Sequence, residues 1–317
     1  MTTLVTGAAG LIASRVVQNL LSRGETTIAL DRALNSGRLD NLIDCGLLMA
    51  EEADVSDLNA LDTLCNRHAV NRIIHTAAVL PPTSETEPYL GYMVNIGGTN
   101  NVFEAARRYG VDRVVYPTSI AVYGDQLDHG DTELDEASPT KPFSLYGTAK
   151  LANEFSARAY TANYGLDCKG LRICTVFGHG RLTGRSAAAS AMISSAAVGE
   201  PYTCHVTREQ TSAYIYVEDV AELMVQTAFA EGLSQEIYCV PTHRASLREI
   251  ASTVSSVLPE AQISFMPDAS GFEQINRMTG RRLSADLGYK TPPLETSIRH
   301  QIDTARRERQ LQPVSDE

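Results

Sequence analysis

The sequence predicts an α/β fold in which a doubly wound parallel sheet is followed by a smaller, interleaved C-terminal region. Two observations predict this fold. Short apolar runs alternate with longer segments of helical periodicity from the first residues onward, and glycines stand where several of the helices should end. With 317 residues, of which 43% are hydrophobic and 21% charged, the chain can bury a substantial core and is neither disordered nor fibrous.

The first half of the chain alternates strands and helices in regular order. The predicted strands cover residues 4–5, 27–30, 47–50, 72–78, 113–119 and 171–176, and the predicted helices cover residues 11–21, 58–65, 89–109 and 146–164. Alternation of this kind predicts a parallel sheet with helices on both faces. Gly24, Gly110 and Gly165 follow three of these helices, where a left-handed residue commonly ends a helix.

After residue 178 the alternation loosens. We predict a helix over 186–198, a strand over 213–217, a helix from 218, a strand over 236–240 and a helix from 246. Ser246 and Glu249 form a predicted capping box at the start of the last of these helices. The chain therefore divides into residues 1–177, which carry the main sheet, and residues 178–317, a smaller region whose segments can return to that sheet. The acidic segment 125–144 is expected to be a solvated surface loop.

Composition and charge exclude several classes of function. Subtracting 38 acidic from 27 basic side chains leaves a net charge of -11 with no local basic patch, which argues against nucleic-acid binding. No signal sequence and no uncharged apolar stretch long enough to cross a bilayer is present, so we expect no membrane association. The six cysteines show neither a CxxC pair nor metal-ligand spacing. We therefore expect no metal and a reducing, cytoplasmic location.

A glycine turn between the first strand and the first helix predicts a dinucleotide site. Gly7 and Gly10 let backbone N–H groups approach a pyrophosphate at the helix N-terminus, and Ala13 permits close packing of the helix on the strand. Asp31 ends the second strand, where a carboxylate accepts hydrogen bonds from the adenosine ribose. The same carboxylate repels the extra phosphate of NADP, so we predict a Rossmann-type domain that binds NAD, although Arg32 leaves NADP open.

Tyr146 and Lys150 form the most informative pair in the chain. Helical i, i+4 spacing places the phenol and the ammonium on one face of a helix, and none of the other tyrosines has a lysine four residues later. Tyrosine has a pKa near 10, so a base near neutrality needs it lowered by about three units. We expect the Lys150 ammonium and an oxidised nicotinamide to supply this lowering together. Ser119, at a strand end, is placed to bind the reacting oxygen of the substrate; a turn or cap serine is the alternative.

In its motifs the sequence resembles the extended short-chain dehydrogenase/reductase family, also called the NAD-dependent epimerase/dehydratase family. Besides the glycine turn, Asp31, Ser119 and the Tyr146/Lys150 pair, the matching stretches are residues 95–99 (NIGGT), 118–124 (TSIAVYG), 134–136 (LDE), 171–178 (LRICTVFG) and 214–220 (YIYVEDV). The resemblance spans nearly the whole chain. It implies Tyr146 as catalytic acid/base with Lys150 and Ser119 as its partners. It also implies NAD along the glycine turn and commonly a homodimer through the helices that contain Asn95 and Tyr146.

Together the pattern and the resemblance give a set of predicted cofactor contacts. They are Gly7, Ala9, Gly10, Leu11, Ile12, Asp31, Arg32, Asp54, Val55, Ala77, Ala78, Asn95, Thr118, Tyr146 and Lys150. Asp54 either flanks the adenine or simply caps the following helix. His75, inside an apolar strand, is expected to be a satisfied core histidine or one close to the cofactor, without a catalytic role.

Departures from patterns of subfamilies narrow the chemistry. Sugar 4,6-dehydratases of the family carry an acidic pair directly after the residue matching Ser119, whereas Ile120 and Ala121 stand here and neither can move a proton. Nucleotide-sugar epimerases usually have an asparagine at the position of Thr175 and an arginine at that of Ser212, both serving the nucleotide diphosphate. A UDP-linked substrate is therefore in doubt.

The predicted substrate contacts lie around the end of the sixth strand. Three basic residues of this group are candidates for binding a carboxylate or phosphate of the substrate, and solvated side chains in a loop are the alternative. The full set is Leu80, Ile120, Ala121, Thr175, His179, Arg181 and Arg185.

The sequence thus predicts an NAD-dependent oxidoreductase that transfers hydride between NAD and a secondary alcohol or ketone of a small polar substrate, such as a sugar or sugar acid. The alternative is a UDP-hexose-type 4-epimerase that uses the same residues and retains its NAD. A cofactor-sensing regulatory protein is a further alternative, but it would have no use for the Tyr146/Lys150 pair.

Overall fold

The computed structural model describes residues 1–35, 37–40, 46–181 and 184–314, apart from the side chain of Arg185. Its centre is a seven-stranded, wholly parallel sheet in the order β3-β2-β1-β4-β5-β6-β10. The strands are β1 (Thr2–Thr6), β2 (Thr26–Asp31), β3 (Leu48–Glu52), β4 (Arg72–His75), β5 (Arg113–Ser119), β6 (Asp167–Ile173) and β10 (Ile237–Cys239). The predicted fold class is confirmed. The chain order reverses between β1 and β4, and a ligand crevice forms at the carboxyl ends of strands at such a point.

Helices cover both faces of the sheet. The larger ones in this part are α1 (Leu11–Ser22), α2 (Leu58–His68), α5 (Thr99–Arg108), α6 (Leu145–Tyr164) and α8 (Val217–Phe229). Helix α1 packs on α8, whereas α5 packs on both α2 and α6. The predicted helix 89–109 consists of three successive pieces: the short α4 (Pro88–Tyr92), a π-helical stretch Met93–Gly98, and α5. A further short helix, α3 (Thr83–Thr86), precedes them.

The central strands are buried on both faces, as parallel strands between helical layers must be. Neighbouring residues of each central strand alternate between two separate hydrophobic clusters. One cluster contains Val5, Ala29, Ile74 and Val115. The other contains Leu4, Ile28, Ile73 and Val114. The central strands of this sheet are therefore continuous apolar runs rather than alternating apolar and polar residues.

The C-terminal part adds two small sheets and covers the carboxyl edge of the main one. Strands β11 (His243–Ser246), β9 (Thr211–Tyr216) and β7 (Thr175–Phe177) form one sheet, and β12 (Ile263–Phe265) pairs with β8 (Tyr202–Cys204). The helices are α7 (Ala188–Ala197), α9 (Leu247–Val257), α10 (Arg281–Leu287) and α11 (Leu294–Glu308). The predicted capping box of Ser246 and Glu249 is confirmed at the start of α9. Because β10 and α8 belong to the main sheet, the two regions interleave; the boundary at residue 177 stays a prediction.

Three predictions about these elements were wrong in detail. The strand predicted over 171–176 is two strands, since the chain leaves the main sheet at Cys174 and continues as β7 in a smaller sheet. Strand β4 ends at His75, because the backbone at Thr76 and Ala77 turns toward Gly7. The segment 125–144 is not simply solvated: Gln126 and Leu134 are buried in it, and Leu134 bridges to Met278.

Among the described residues, no helix is long and apolar enough to cross a membrane, and no group of three or more metal-ligating side chains lies together. Five cysteines are buried free thiols: Cys65, Cys168, Cys174, Cys204 and Cys239. Cys45 lies outside the described residues.

His75 is a core histidine with both ring nitrogens satisfied. Its Nδ1 lies 2.7 Å from the Thr6 hydroxyl and its Nε2 lies 3.0 Å from the Thr99 hydroxyl. Burial, and secondarily the charge of Lys150, lowers its pKa from 6.5 to about 3. His75 therefore stays neutral in the folded protein over most of the acidic range.

This gives a prediction for stability against pH. A histidine whose pKa is lowered in the folded state keeps its full contribution to stability above its unfolded pKa of about 6.5. Below that pH the unfolded state binds a proton that the folded state does not, so the free energy of unfolding falls by at most about 1.4 kcal/mol per pH unit. Between pH 6.5 and 5, urea unfolding of the parent should show this slope. His75→Gln should remove the slope, whereas the control His205→Gln, at an exposed position, should keep it. An unchanged slope in His75→Gln would contradict the assignment.

Candidate active site

A cleft of about 690 Å³ opens at the carboxyl ends of β1, β4 and β5. The glycine turn and the ends of β2 and β3 form one side of it, and α6 with the chain after β5 forms the other. Residues 273–275 of the C-terminal region also line it. The cleft lies where the strand order reverses, which is the position expected for a dinucleotide in this kind of sheet.

The glycine turn has no room for side chains. Gly7 has a φ of 70°, and a Cβ atom there would lie 2.7 Å from the backbone nitrogen of Ala77. At Gly10 a Cβ atom would lie 2.9 Å from the carbonyl oxygen of Gly7. Gly10 is the N-cap of α1 but has no side chain to accept from the first N–H groups of the helix. A pyrophosphate is the ligand that such a helix start suits, because it combines free N–H donors with the positive end of the helix dipole.

Asp31 is fixed beside this turn. Its Oδ2 accepts a hydrogen bond from the Ala9 backbone nitrogen at 3.0 Å, and its Oδ1 accepts one from that of Arg32 at 2.7 Å. An ionised carboxylate has about four lone-pair sites, so two bonds leave acceptors for the hydroxyls of a ribose. The turn and Asp31 together fit the adenosine and pyrophosphate of NAD.

Helix α6, which carries Tyr146 and Lys150, approaches the end of β5 closely. A Cβ atom at Gly147 would lie 2.5 Å from the carbonyl oxygen of Ala121, so only glycine between Tyr146 and Lys150 allows this approach. Ser144 caps the helix by accepting from the Gly147 nitrogen at 3.0 Å. Glu85, on α3, accepts from the backbone nitrogens of Leu145 and Tyr146 at 3.1 and 3.0 Å. Three backbone N–H groups in the first turn of α6 are thus hydrogen-bonded to the side chains of Ser144 and Glu85.

Lys150 and Ser119 both lie against Tyr146. The Lys150 Nζ is 5.6 Å from the centre of the Tyr146 ring and donates to the Pro117 carbonyl oxygen at 2.8 Å. The Ser119 side chain lies close enough to the Tyr146 phenol to lower its pKa, and its hydroxyl accepts from the Ala121 nitrogen at 3.1 Å. Ser119 is therefore a cap serine and a neighbour of Tyr146 at once, so the two interpretations do not exclude each other.

The protein alone does not lower the pKa of Tyr146 as expected from the pair. Burial raises it to about 12, opposed by the hydrogen bond from Ser119 and by the charge of Arg181. Burial also lowers the pKa of Lys150 to about 8. In the protein alone, the cost of burying the phenolate exceeds the attractions, so the expected lowering by Lys150 and an oxidised nicotinamide together stays a prediction.

A buried polar network lies next to the Tyr146/Lys150 pair. The Glu154 carboxylate accepts from Arg172 Nε at 2.9 Å and Nη2 at 2.7 Å, and from the Thr118 hydroxyl at 2.7 Å. The opposite side of the Arg172 guanidinium donates to the Tyr123 hydroxyl at 2.7 Å. Glu154 is one helical turn beyond Lys150, and Thr118 precedes Ser119, so the network ties α6 to the end of β5.

Most predicted cofactor residues line the cleft. They are Gly7, Gly10, Leu11, Ile12, Asp31, Arg32, Asp54, Val55, Ala77, Ala78, Thr118, Tyr146 and Lys150. Ala9 lies behind it and orients Asp31. Asn95 is buried outside the cleft, where its side-chain amide exchanges two hydrogen bonds with the backbone of Val79, at 2.7 and 2.9 Å. The cap of α2 is Asp57 rather than Asp54.

Some of the predicted substrate residues line the cleft, and others do not. Five of them line the cleft, namely Leu80, Ile120, Ala121, Thr175 and Arg181. His179 lies outside its lining and binds Glu308 at 2.7 Å and Ser194 at 3.0 Å. The side chain of Arg185 lies outside the described part of the structure.

Sequence reasoning missed Glu85 and the C-terminal lining residues Glu273, Gln274 and Ile275. No local signal marks them. Glu85 acts on backbone groups about sixty residues away, and residues 273–275 belong to no helix or strand and reach the cleft only through the tertiary fold.

Comparison with known proteins places this arrangement in a family. The profile of the NAD dependent epimerase/dehydratase family matches residues 3–240. The UDP-glucose 4-epimerase of Mycolicibacterium smegmatis is 30% identical over 298 residues, which cover 92% of this chain and 93% of that protein.

Two solved structures share the whole fold. An L-threonine dehydrogenase from Cupriavidus necator superposes with a TM-score of 0.85 at 26% identity, covering 96% of this chain and 99% of that one. The UDP-glucose 4-epimerase of Thermus thermophilus in complex with NAD superposes with a TM-score of 0.82 at 28% identity, with the same coverage, 96% and 99%.

The fold, the glycine turn and the Tyr146/Lys150 pair define a dinucleotide-binding α/β enzyme. The chain belongs to the NAD dependent epimerase/dehydratase family, and it is an NAD-dependent enzyme of the dehydrogenase and epimerase class. The resemblance in its motifs and the predicted cofactor are thereby confirmed.

Proposed function

We propose that the protein is an NAD-dependent dehydrogenase that oxidises a secondary alcohol of a small polar substrate, or reduces the ketone in reverse. The observation that carries the proposal is the convergence of Ser119, Tyr146 and Lys150 in the same cleft as the glycine turn. Tyr146 takes the proton of the substrate hydroxyl, and Ser119 donates a hydrogen bond to the same oxygen. Lys150 holds the nicotinamide ribose. When bound, NAD supplies the acceptor for the hydride and a positive charge close to Tyr146.

Two features of the structure favour simple oxidation over the other reactions of the family. Ile120 and Ala121, next to Ser119, have no group that can move a proton, so a dehydration step has no second acid or base. Ser212 is fully buried and hydrogen-bonded to Gln274, and it provides no cation for a nucleotide diphosphate where epimerases of the family usually have arginine.

A UDP-hexose 4-epimerase is the second candidate. It is favoured by the 30% identity to the M. smegmatis UDP-glucose 4-epimerase over nearly the whole chain. An epimerase uses the same three residues, but it returns the hydride to the other face of a ketone and has no need to exchange its cofactor.

Cofactor exchange distinguishes the two. The chain has no tryptophan, so the fluorescence of reduced nicotinamide can be followed without an indole background. We expect the purified protein to lose its NAD(H) on extensive dialysis, to rebind it reversibly, and to reduce NAD with a secondary alcohol. Near-stoichiometric NAD that survives dialysis, together with interconversion of UDP-glucose and UDP-galactose, would establish the epimerase instead.

We also infer a homodimer that works in the cytoplasm. Tyr92 and Met93, next to the helical stretch with Asn95, and Phe155, on α6, are exposed by 39, 43 and 62%. Such side chains on these two helices suit burial against a second copy, and light scattering should give twice the chain mass of 34.4 kDa. Buried free thiols suit a reducing compartment.

A further inference from the structure

Arg181 is a cation that lines the cleft and has no acidic partner among the described residues. Its guanidinium donates to the carbonyl oxygen of Val176 and, at 2.7 Å, to the hydroxyl of Ser186. In the described part of the chain, the groups whose charges act on it are two phenols and a thiol, those of Tyr214, Tyr146 and Cys174, and no carboxylate.

Two other buried cations of the described residues are paired with carboxylates, whereas Lys150 donates to the Pro117 carbonyl oxygen. Arg172 binds the Glu154 carboxylate at 2.7 Å, and Lys169 lies 3.3 Å from that of Asp167. An unpaired charge inside a protein is costly, and neutral acceptors such as a carbonyl and a hydroxyl compensate for it only partly. A guanidinium has five N–H donors, so the two hydrogen bonds of Arg181 leave donors available for an anion in the cleft.

We propose that Arg181 binds a carboxylate of the substrate, so that the enzyme acts on a short hydroxy acid, such as an aldonate, rather than on a neutral or nucleotide-linked sugar. This inference rests on the proposed dehydrogenase function. Position supports it: Arg181 and Tyr146 line the same cleft, so an anion bound to Arg181 shares that cleft with the hydroxyl that Tyr146 deprotonates. The planar fork of arginine matches the two oxygens of a carboxylate.

The cations that line the cleft suit a substrate with a single negative charge better than a phosphate ester. Among the described residues, the cations that line the cleft are Arg32, Lys150 and Arg181. Arg32 lies at the adenosine end beside Asp31, and Lys150 is held on the Pro117 carbonyl, so of these three described cations Arg181 remains for the substrate. The cleft of about 690 Å³ must also hold the dinucleotide, which leaves space for a small molecule.

The reaction then balances as a two-electron oxidation. The carbon–hydrogen bond of the alcohol breaks and its electron pair leaves with the hydrogen for the oxidised nicotinamide. The hydroxyl proton passes to Tyr146 and from there to solvent. The carboxylate stays bound to Arg181 throughout, and the product is an oxo acid with NADH.

Matched substrate pairs test the inference. We would assay NAD reduction with aldonates of four to six carbons and with the alditols of the same configuration, which differ only in having CH₂OH in place of the carboxylate. For the parent enzyme we expect kcat/KM to be at least about 100-fold higher for one aldonate than for its alditol. Arg181→Met should raise KM for that acid about 100-fold or more, with a much smaller change in kcat and unchanged NAD affinity.

Two further variants show whether the effect is specific to the Arg181 guanidinium. Arg181→Lys keeps the charge but loses the fork, so we expect an intermediate KM. Arg208→Met removes an exposed arginine of the same region and should leave all constants unchanged. Circular dichroism establishes that each variant is folded.

The possible results separate this inference from the proposed function. Equal turnover of acid and alditol, no turnover of any acid, or an Arg181→Met variant that loses NAD affinity instead of acid affinity would each overturn the carboxylate assignment. Activity of Arg181→Met on UDP-galactose equal to that of the parent would also overturn it, and would favour the epimerase. If Tyr146→Phe retained turnover, the proposed function itself would be wrong, whatever Arg181 showed.

Discussion

Tyr146→Phe should lower kcat about 100-fold or more while leaving the affinity for NAD within a few-fold of the parent. Proton transfer by a positioned side chain typically contributes a factor of about 10² to 10⁴. Phenylalanine keeps the ring in its buried position but removes the only atom able to take the proton. The measurement is steady-state kinetics with an identified substrate, together with a fluorescence titration of NADH.

Tyr164→Phe is the matched control, because Tyr164 lies on the same helix and is 60% exposed. It should change kcat little. Turnover of Tyr146→Phe within about tenfold of the parent would contradict the proposed proton transfer.

The pH profile of the same reaction reports how Tyr146 becomes a base. Burial raises its pKa to about 12, so the groups around it must lower that value before it can act near neutrality. The opposing charges are those of Arg181, of Lys150 and of the oxidised nicotinamide. Lys150→Met removes one of these positive charges and should therefore raise the pKa of Tyr146. We expect the acidic limb of the kcat profile to move to higher pH, which lowers the activity near neutrality.

The parts of the fold that were predictable are those encoded by local pattern. The alternation of strands and helices, the glycine turn and the Tyr146/Lys150 spacing each lie within a short segment. Such segments express their structure through backbone sterics and periodicity alone. The capping box at Ser246 belongs to the same class, since its two partners are three residues apart.

Other features of the structure have a different physical origin. Whether Asp54 or Asp57 caps α2 depends on which carboxylate reaches the first backbone donors, and Asp57 does. The side chain of Asn95 binds the backbone of Val79, which the tertiary fold brings to it. His179 pairs with Glu308, on the last helix of the chain. Each of these outcomes depends on which surfaces pack together, and residue types in one segment do not contain that information.

The same reasoning applies to the balance of charges at Tyr146. The spacing of Tyr146 and Lys150 gives their proximity, but how far each side chain is removed from solvent depends on the strands, on Gly147 and on the segment after β5. Electrostatics inside a protein is set by the surrounding dielectric as much as by the partner, and the sequence specifies only the partner.

Glu154→Gln should destabilise the protein by about 3–5 kcal/mol, the largest effect on folding that we predict for a single site. Glu154 is fully buried and Arg172 is 2% exposed, so the variant leaves a buried guanidinium without its counter-charge. Urea unfolding should show a lower midpoint with an unchanged m-value, because the surface exposed on unfolding stays the same.

The cause is the isolated charge rather than the lost hydrogen bonds, and a second substitution tests this. If Arg172 is also replaced, by methionine, no charge remains buried, and the double variant Glu154→Gln/Arg172→Met should be more stable than Glu154→Gln alone. Glu295→Gln, which breaks an ion pair with Arg299 on the surface of α11, should cost no more than about 0.5 kcal/mol. A double variant no more stable than the single one would show that the hydrogen bonds to Thr118 and Tyr123, and not the unpaired charge, dominate the loss. In that case the network would act mainly by tying α6 to the end of β5, and Thr118→Val should then reproduce a measurable part of the loss.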